Sequence, residues 1–412
     1  MGLPNAEQEP SRPPKFTIDL SLNPEDRYKA LATAYQTEVR GLTGLFNALL
    51  RDIGLPGSYH GLVNGAARLL LRGVHSPIET AELRGISQVT GIPMYLLVSF
   101  NVILDALMGC TSGAVKTLED GQPKSQAKML HFRTLDWTMD PLRSIIVQLD
   151  FVRSRSANPS RVLARSITYV GFVGILTGVR ERLSLSLNFR AVHNATTKRD
   201  HFRFYFHHLL VLLGIRQSIS SILRNYMFSD VPHEKNQPKT LAEVSEELLH
   251  RHTTAAYLTF SDGGSTIVIE KDYDSGQIRK SSTFIAATNH DEVEHHPKSN
   301  AATPVANEVA GGSSRIAPGL EELLEESRDR LECVASKWTS RVRKVKRQSR
   351  REGRTDLHRI EDETTVTEAD VIEWVSAYPT TNEQTHLATV LDATNGQVVW
   401  TRVYPDPNEN AE

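Results

Sequence analysis

The sequence predicts an α+β fold, and three observations carry the prediction. Residues 23–109 show apolar positions at helical spacing, the texture changes to strand pairs at Cys110, and the later strands are joined by turn residues rather than by helices. The first element is a strand at 15–22, where Phe16, Ile18, Leu20 and Leu22 alternate with Thr17, Asp19 and Ser21. Asn23-Pro24-Glu25-Asp26 then starts a helix with a cap residue, a proline at the first helical position and carboxylates in the first turn. Leu31, Tyr35, Val39, Leu42, Phe46, Leu49 and Ile53 continue it to a stop at Gly54-Leu55-Pro56-Gly57. Helices follow at 60–73, 77–90 and 93–107.

Strands at 110–115 and 129–137 form the first hairpin around a polar loop at 118–128. A second pair covers 169–177 and 183–189, with apolar helices at 204–213 and 219–226. Strands at 255–260 and 266–271 are joined by Ser261-Asp262-Gly263-Gly264, and a strand at 282–288 runs into Asn289. A polar insertion at 292–318 and a charged helical insertion at 319–363 precede a helix at 367–377. The last hairpin, 386–391 and 398–404, turns on Asn395-Gly396. No internal repeat is visible.

Composition bounds the function. The 412 residues include two cysteines, Cys110 and Cys333, so a disulfide-stapled scaffold is excluded. The 47 Lys plus Arg against 49 Asp plus Glu leave a net charge of -2, which provides no global field for nucleic acid or an anionic membrane. The prolines at 4, 10, 13 and 14 interrupt any apolar leader, Ala6 breaks the myristoylation pattern, and Asn101 and Asp105 interrupt the apolar run from 92 to 108. A cytoplasmic protein is the direct expectation.

The chemistry-bearing candidates begin with Cys110-Thr111-Ser112-Gly113, at the junction of helical and strand-rich texture. An isolated buried cysteine is more often packing than chemistry. On the partner strand, however, Arg133 and Asp136 sit three apart among apolar neighbours. Charges inside a strand are costly to bury, so they either reach solvent or serve a site.

These residues, in order, resemble the acid ceramidase and N-acylethanolamine acid amidase family of N-terminal-nucleophile hydrolases, which also include bile salt hydrolases and penicillin V acylases. The similarity lies in residues 14–28, Cys110-Thr111-Ser112, Arg133-Thr134-Leu135-Asp136, 169–178, Leu185-Ser186-Leu187-Asn188, Thr288-Asn289-His290-Asp291 and Tyr404-Pro405-Asp406-Pro407. The resemblance implies a four-layer αββα sandwich of two antiparallel sheets and a precursor that cuts itself between Gly109 and Cys110. A mostly helical segment, 1–109, would stay associated with a catalytic domain, 110–412. It implies Cys110 as nucleophile, with its freed amine as base. Arg133 would favour the thiolate, Asp136 would orient the ammonium and Asn289 would donate to the oxyanion, with Asn188, Arg190 and Arg328 as auxiliaries. The expected substrate is an N-acylated lipid, ceramide first, with N-acylethanolamine or bile-salt and penicillin V acylase chemistry as alternatives. No cofactor, metal or nucleic acid is expected.

Departures from the family pattern are visible. Thr134 stands where amidase members carry Asn, and Phe189 stands where they carry a glutamate that contributes to self-cleavage. These substitutions favour a different class of reading, a relative that binds acyl lipids or a protein partner without turnover. Lysosomal members have a leader and structural disulfides, so an upstream leader would move the expected compartment to lysosome or vacuole. The basic run Arg341, Arg343, Lys344, Lys346, Arg347, Arg350 and Arg351 is flanked by acidic residues and reads first as a solvated helix, with transient membrane-surface contact as the sharper reading. His207-His208 and His290, His295 and His296 lack zinc-site spacing.

Overall fold

The computed structural model describes residues 12–44, 60–103, 109–190, 192–195, 197–228, 238–291, 303–304, 320–353 and 357–407. The alternating start becomes strand β1, Lys15–Asp19, with Ile18 driven into the core. It ends earlier than the pattern because Asp19 turns its carboxylate onto the backbone, accepting from the amides of Ser21 at 2.9 Å and Ser154 at 3.0 Å. The single helix expected from residue 24 is divided into α1, Lys29–Ala34, and α2, Gln36–Gly41. Tyr35 leaves helical geometry between them, and its ring packs edge-on against Phe16 at 5.8 Å. The continuation to Ile53 lies outside the described residues.

Helices α3, His60–Leu70, α4, Pro77–Thr90, and α5, Met94–Ile103, follow as expected within a few residues. The match at α4 has a local cause. Ser76 accepts from the Glu79 amide, Pro77 opens the first turn, and Gly91 closes the helix at φ +73.

From there the chain builds β2, Gly109–Thr117, β3, Lys128–Asp136, β4, Ile146–Val152, β5, Ala164–Tyr169, β6, Thr177–Arg180, β7, Leu183–Phe189, and the short β8, Val192–His193. Helices α6, Lys198–Leu212, α7, Ile219–Met227, and α8, Leu241–His250, precede β9, Ala256–Ser261, β10, Thr266–Lys271, β11, Gly276–Ser281, and β12, Phe284–Ala287. Within the polar insertion only β13, Thr303–Pro304, is described; the rest of 292–318 lies outside the described residues. The chain ends with helices α9, Leu320–Arg351, α10, Leu357–Glu363, and α11, Glu368–Ser376, and the hairpin β14, Thr385–Asp392, and β15, Gln397–Val403.

A large sheet has the order β1-β4-β5-β6-β7-β9-β10-β11 and a smaller one the order β12-β2-β3-β14-β15. All pairs in them are antiparallel except β1 with β4. Strand β2 faces β7 and β9 across the gap, α7 and α8 cover the large sheet, and α9 and α11 cover the small one. The αββα sandwich is therefore the architecture of the chain.

One sequence expectation needs correction. The run 169–177 is not a strand: β5 ends at Tyr169, Gly171 takes φ +93 and β6 starts at Thr177. An apolar run reads as a strand whenever it is buried, but here the buried connection has its backbone satisfied by side chains instead of a ladder. Asn101 donates to the Gly171 carbonyl at 2.8 Å and accepts from the Val173 amide at 2.8 Å, Arg224 donates to the Val173 carbonyl at 2.8 Å, and Arg133 donates to the Leu176 carbonyl. Residues 1–109 contribute β1 as an edge strand of the large sheet. Within 319–363, Val334, Trp338 and Val342 of α9 pack with Val115, Phe132 and Val390 and form the outer layer over the small sheet.

Candidate active site

Strand pairing assembles the site. Cys110 lies opposite Leu135, Ser112 opposite Arg133 and Gly109 opposite Asp136 in the β2–β3 ladder. Residues three apart on a strand point to opposite faces, so Arg133 and Asp136 attend to different sides of β2. Arg133, on the face of Cys110, directs Nη2 to the thiol sulfur at 3.3 Å. Asp136 lies at the strand end beside Gly109, where a Cβ on the glycine would stand 3.4 Å from the Asp136 Cβ. Its carboxylate accepts from Thr385 Oγ1 at 2.7 Å and Thr134 Oγ1 at 3.4 Å. Thr134 also accepts from the Thr111 amide at 3.2 Å, so the departing residue ties both strands to the carboxylate.

Asn289 follows β12 and closes the arrangement. Its Oδ1 accepts from the Cys110 backbone amide at 2.8 Å and from Arg330 Nη2 at 2.9 Å, while its Nδ2 donates to the Phe189 carbonyl at 2.8 Å. Only an oxygen can face two donors, which fixes the orientation of this amide. The Asn289 amide in turn donates to Ser327 Oγ at 2.7 Å.

The auxiliaries separate into distinct positions. Asn188 accepts from Ser112 Oγ at 2.6 Å and donates to the carbonyls of Ala287 and Thr288 at 3.1 and 3.2 Å, which locks β7 to β2 and β12 without touching the thiol. Arg190 grips Asp291 with Nε and Nη2 at 2.9 and 2.7 Å and reaches Asp272 at 3.1 Å. Arg328 is exposed on α9; the arginine that enters the site is Arg330, 1% exposed and 3.6 Å from Asp136. The reason is helical phase. Ser327, Arg330, Val334, Trp338 and Val342 form the buried stripe of α9, and this 3–4 spacing was the signal in the sequence that could have selected Arg330. Tyr169 and His386, joined at 2.8 Å, are a further buried pair beside the centre.

Burial sets the protonation. Cys110, Arg133 and Asn289 have no exposed surface and Asp136 has 1%. Desolvation pushes the Cys110 thiol above its ordinary pKa, and the Arg133 charge offsets only part of that. Desolvation also raises the Asp136 carboxyl against the pull of Arg330, Thr385 and Arg133. The arrangement therefore holds a neutral thiol whose anion would meet a guanidinium, next to a backbone nitrogen already held by an amide oxygen. Among the described residues no group of three His, Cys, Asp or Glu is placed to hold a metal, and no helix is long and apolar enough to cross a membrane.

The chain is similar to several known proteins. The family described as the beta subunit of N-acylethanolamine-hydrolyzing acid amidase matches residues 11–75. Acid ceramidase from Rattus norvegicus is 30% identical over 196 residues, 43% of this chain and 45% of its own length. Probable acid ceramidase from Caenorhabditis elegans is 27% identical over 183 residues, 42% of this chain and 44% of its own length. The chain thus spans less than half the length of these curated relatives. A solved structure, the Caenorhabditis elegans N-acylethanolamine-hydrolyzing acid amidase ortholog, has a TM-score of 0.44 at 17% identity, covering 72% of this chain and all of that one. The sequence matches, at residues 11–75 and over 43% of the chain, make it similar to the acid ceramidase and N-acylethanolamine acid amidase family.

Proposed function

We propose that the chain is an amidohydrolase of N-acylated lipids that uses Cys110 as nucleophile after cleaving its own Gly109–Cys110 bond. One observation carries this reading: Arg133 at 3.3 Å holds the Cys110 thiol while Asn289 at 2.8 Å holds the backbone nitrogen of the same residue. In the first step the thiol attacks the Gly109 carbonyl, the C–N bond breaks, and the proton passes to the departing nitrogen. Water then hydrolyses the thioester and leaves Cys110 with a free amine.

That amine has a reference pKa of ~7.7–8.0, which suits it to take the thiol proton near neutrality. The thiolate then attacks the substrate amide. Asn289 Nδ2, which now donates to the Phe189 carbonyl, and the Arg330 guanidinium would turn to the oxyanion as donors, a contribution worth ~3–4 kcal/mol per donor in studied enzymes. The amine product leaves with the proton, and water releases the fatty acid from the thioester. Asp136 accepts from the new ammonium in place of its present partners.

Ceramide is the first substrate by local similarity at Leu176-Thr177-Gly178 and Asn188; N-acylethanolamines and bile-salt or penicillin V type amides follow. The two chains stay together, supported by β1 in the large sheet and by the Glu82–Arg224 pair at 2.6 Å across the cut. A second reading, acyl-lipid binding without turnover, is favoured by the complete burial of Cys110 and by Phe189 in the glutamate position. Intact mass after incubation at neutral and acidic pH separates the two. A new chain beginning at Cys110, absent in Cys110→Ala, together with fatty-acid release from a ceramide and acylethanolamide panel, is the expected result. An uncut chain with no release overturns it.

A further inference from the structure

Arg330 is shared between two carboxylates in unlike surroundings. Its Nη1 stands 3.6 Å from Asp136 Oδ2 and 3.9 Å from Glu326 Oε2, while Nη2 donates to Asn289 Oδ1 at 2.9 Å. Both carboxylates lie beyond hydrogen-bond distance, so each attracts the guanidinium without fixing it. Asp136 is buried at the strand end, whereas the Glu326 side chain keeps 34% of its surface in water. Glu326 and Arg330 are four residues apart on α9, which places the acid one turn along the same stripe. One guanidinium therefore has a carboxylate on its buried side and another on its water side. Arg190, which follows the carbonyl held by Asn289, is anchored differently: Asp291 grips it at 2.9 and 2.7 Å, a tight pair with no loose contact to redistribute.

The guanidinium of Arg330 also packs on the residue that supplies the carbonyl in self-cleavage. A Cβ on Gly109 would stand 3.7 Å from both terminal nitrogens of Arg330. In that step the bond from Cys110 Sγ to the Gly109 carbonyl carbon forms, and the carbonyl oxygen takes up negative charge. On collapse the C–N bond breaks, and the thiol proton goes to the departing nitrogen. A cation beside that oxygen lowers the barrier to the extent that its charge is not already compensated. Each ionised carboxylate around Arg330 reduces what it can give.

We propose that Glu326 is a positioning residue for self-cleavage: its ionised carboxylate draws the Arg330 charge toward solvent and restrains the cut, and its neutral form leaves that charge to the Gly109 oxyanion. Glu326 gives no proton to the reaction and acts only through Arg330. The groups that face it are Arg330 and Glu322 on α9, Asp136 on β3 and Glu383 ahead of β14. Partial burial and the three carboxylates outweigh the pull of Arg330, so this carboxyl takes up its proton above the ordinary carboxylate range. Self-cleavage should accordingly quicken as pH falls through that titration. The inference rests on the self-cleavage reading above and adds the group that governs its rate.

Intact mass of the full chain, followed over time at neutral and acidic pH, tests the proposal. Glu326→Gln should cut itself about fivefold faster than the parent at neutral pH and lose most of the parent's acceleration in acid. Glu322→Gln, which removes an exposed charge one turn further out, should stay within about twofold of the parent. In an Arg330→Gln background, Glu326→Gln should add nothing, and a gain that persists there overturns the route through Arg330. Parent-like thermal unfolding confirms that the variants are folded. An unchanged or slower cut in Glu326→Gln, with the parent's pH profile retained, overturns the role of Glu326 and leaves the self-cleavage reading standing. A chain that stays uncut in parent and variant at both pH values overturns the two together.

Discussion

Two of the buried charge clusters among the described residues are built differently. In one, Glu82 receives Arg27 at 2.9 Å and both terminal nitrogens of Arg224 at 2.6 and 2.8 Å, and the same arginines also donate to the Leu20 and Val173 carbonyls. In the other, Asp136 stands 3.6 Å from Arg330 and leans on two threonine hydroxyls. The first cluster matches its carboxylate with charge and geometry and joins α4 to α7. The second is left undermatched, so that a new cation beside Cys110 would find an acceptor. Saturation marks a structural tie, and incompleteness marks a place where charge can change.

Breaking the tie should have the largest effect. Glu82→Gln leaves two buried guanidiniums short of a counter-charge and should destabilise the fold by ~3–5 kcal/mol, read as a shift of the urea midpoint. A cost below ~1 kcal/mol would mean that hydrogen bonding alone holds α4 to α7. In the undermatched cluster, Arg330→Gln should lower amide turnover ~100-fold, ~2.7 kcal/mol, with the fold retained. Arg328→Gln should stay within about twofold of the parent; equal losses in the two variants would put the helical-phase assignment in error.

The smallest effect concerns the histidine between the sheets. His131 contacts Ser184 Oγ at 2.9 Å and Ser186 Oγ at 2.8 Å, and burial, with repulsion from Arg133, lowers its pKa to about 3. The unfolded chain takes up this proton near its reference value of ~6.5 while the native state refuses it. The stabilising contribution is thus complete above that value and is lost as pH falls toward the native pKa, by up to ~1.4 kcal/mol per unit. Between pH 7 and pH 5 the parent should lose about 1–2 kcal/mol through this group, and His131→Gln should flatten that limb. An unchanged slope would assign the acid sensitivity to His386 and His207, which are also held down to about 3.

Much of the site was legible because it lies on regular elements. Strand signals put Cys110, Arg133 and Asp136 on one hairpin, while their roles came from the family resemblance, and the cap residues around α4 fixed that helix closely. Two features were misread for physical reasons. The connection from Val170 to Leu176 is apolar on all sides, and composition alone does not distinguish a buried loop from a strand when distant Asn101, Arg133 and Arg224 satisfy its backbone. Arg328 came from the family resemblance across the polar insertion, which carries no information on helical phase. The place of Arg330 in the stripe with Val334 and Trp338 was the better guide.

The parallel pairing of β1 with β4 has a consequence for the order of reaction. A chain cut before Cys110 would be two polypeptides sharing one sheet, so that regaining the native state after unfolding becomes a second-order process that slows on dilution, whereas the uncut chain refolds at a rate independent of concentration. Stability of the cut form would then be kinetic, resting on the barrier to pulling β1 from the sheet edge. The order of events follows: such a protein must fold first and cut afterwards, since the reverse sequence has no efficient way back.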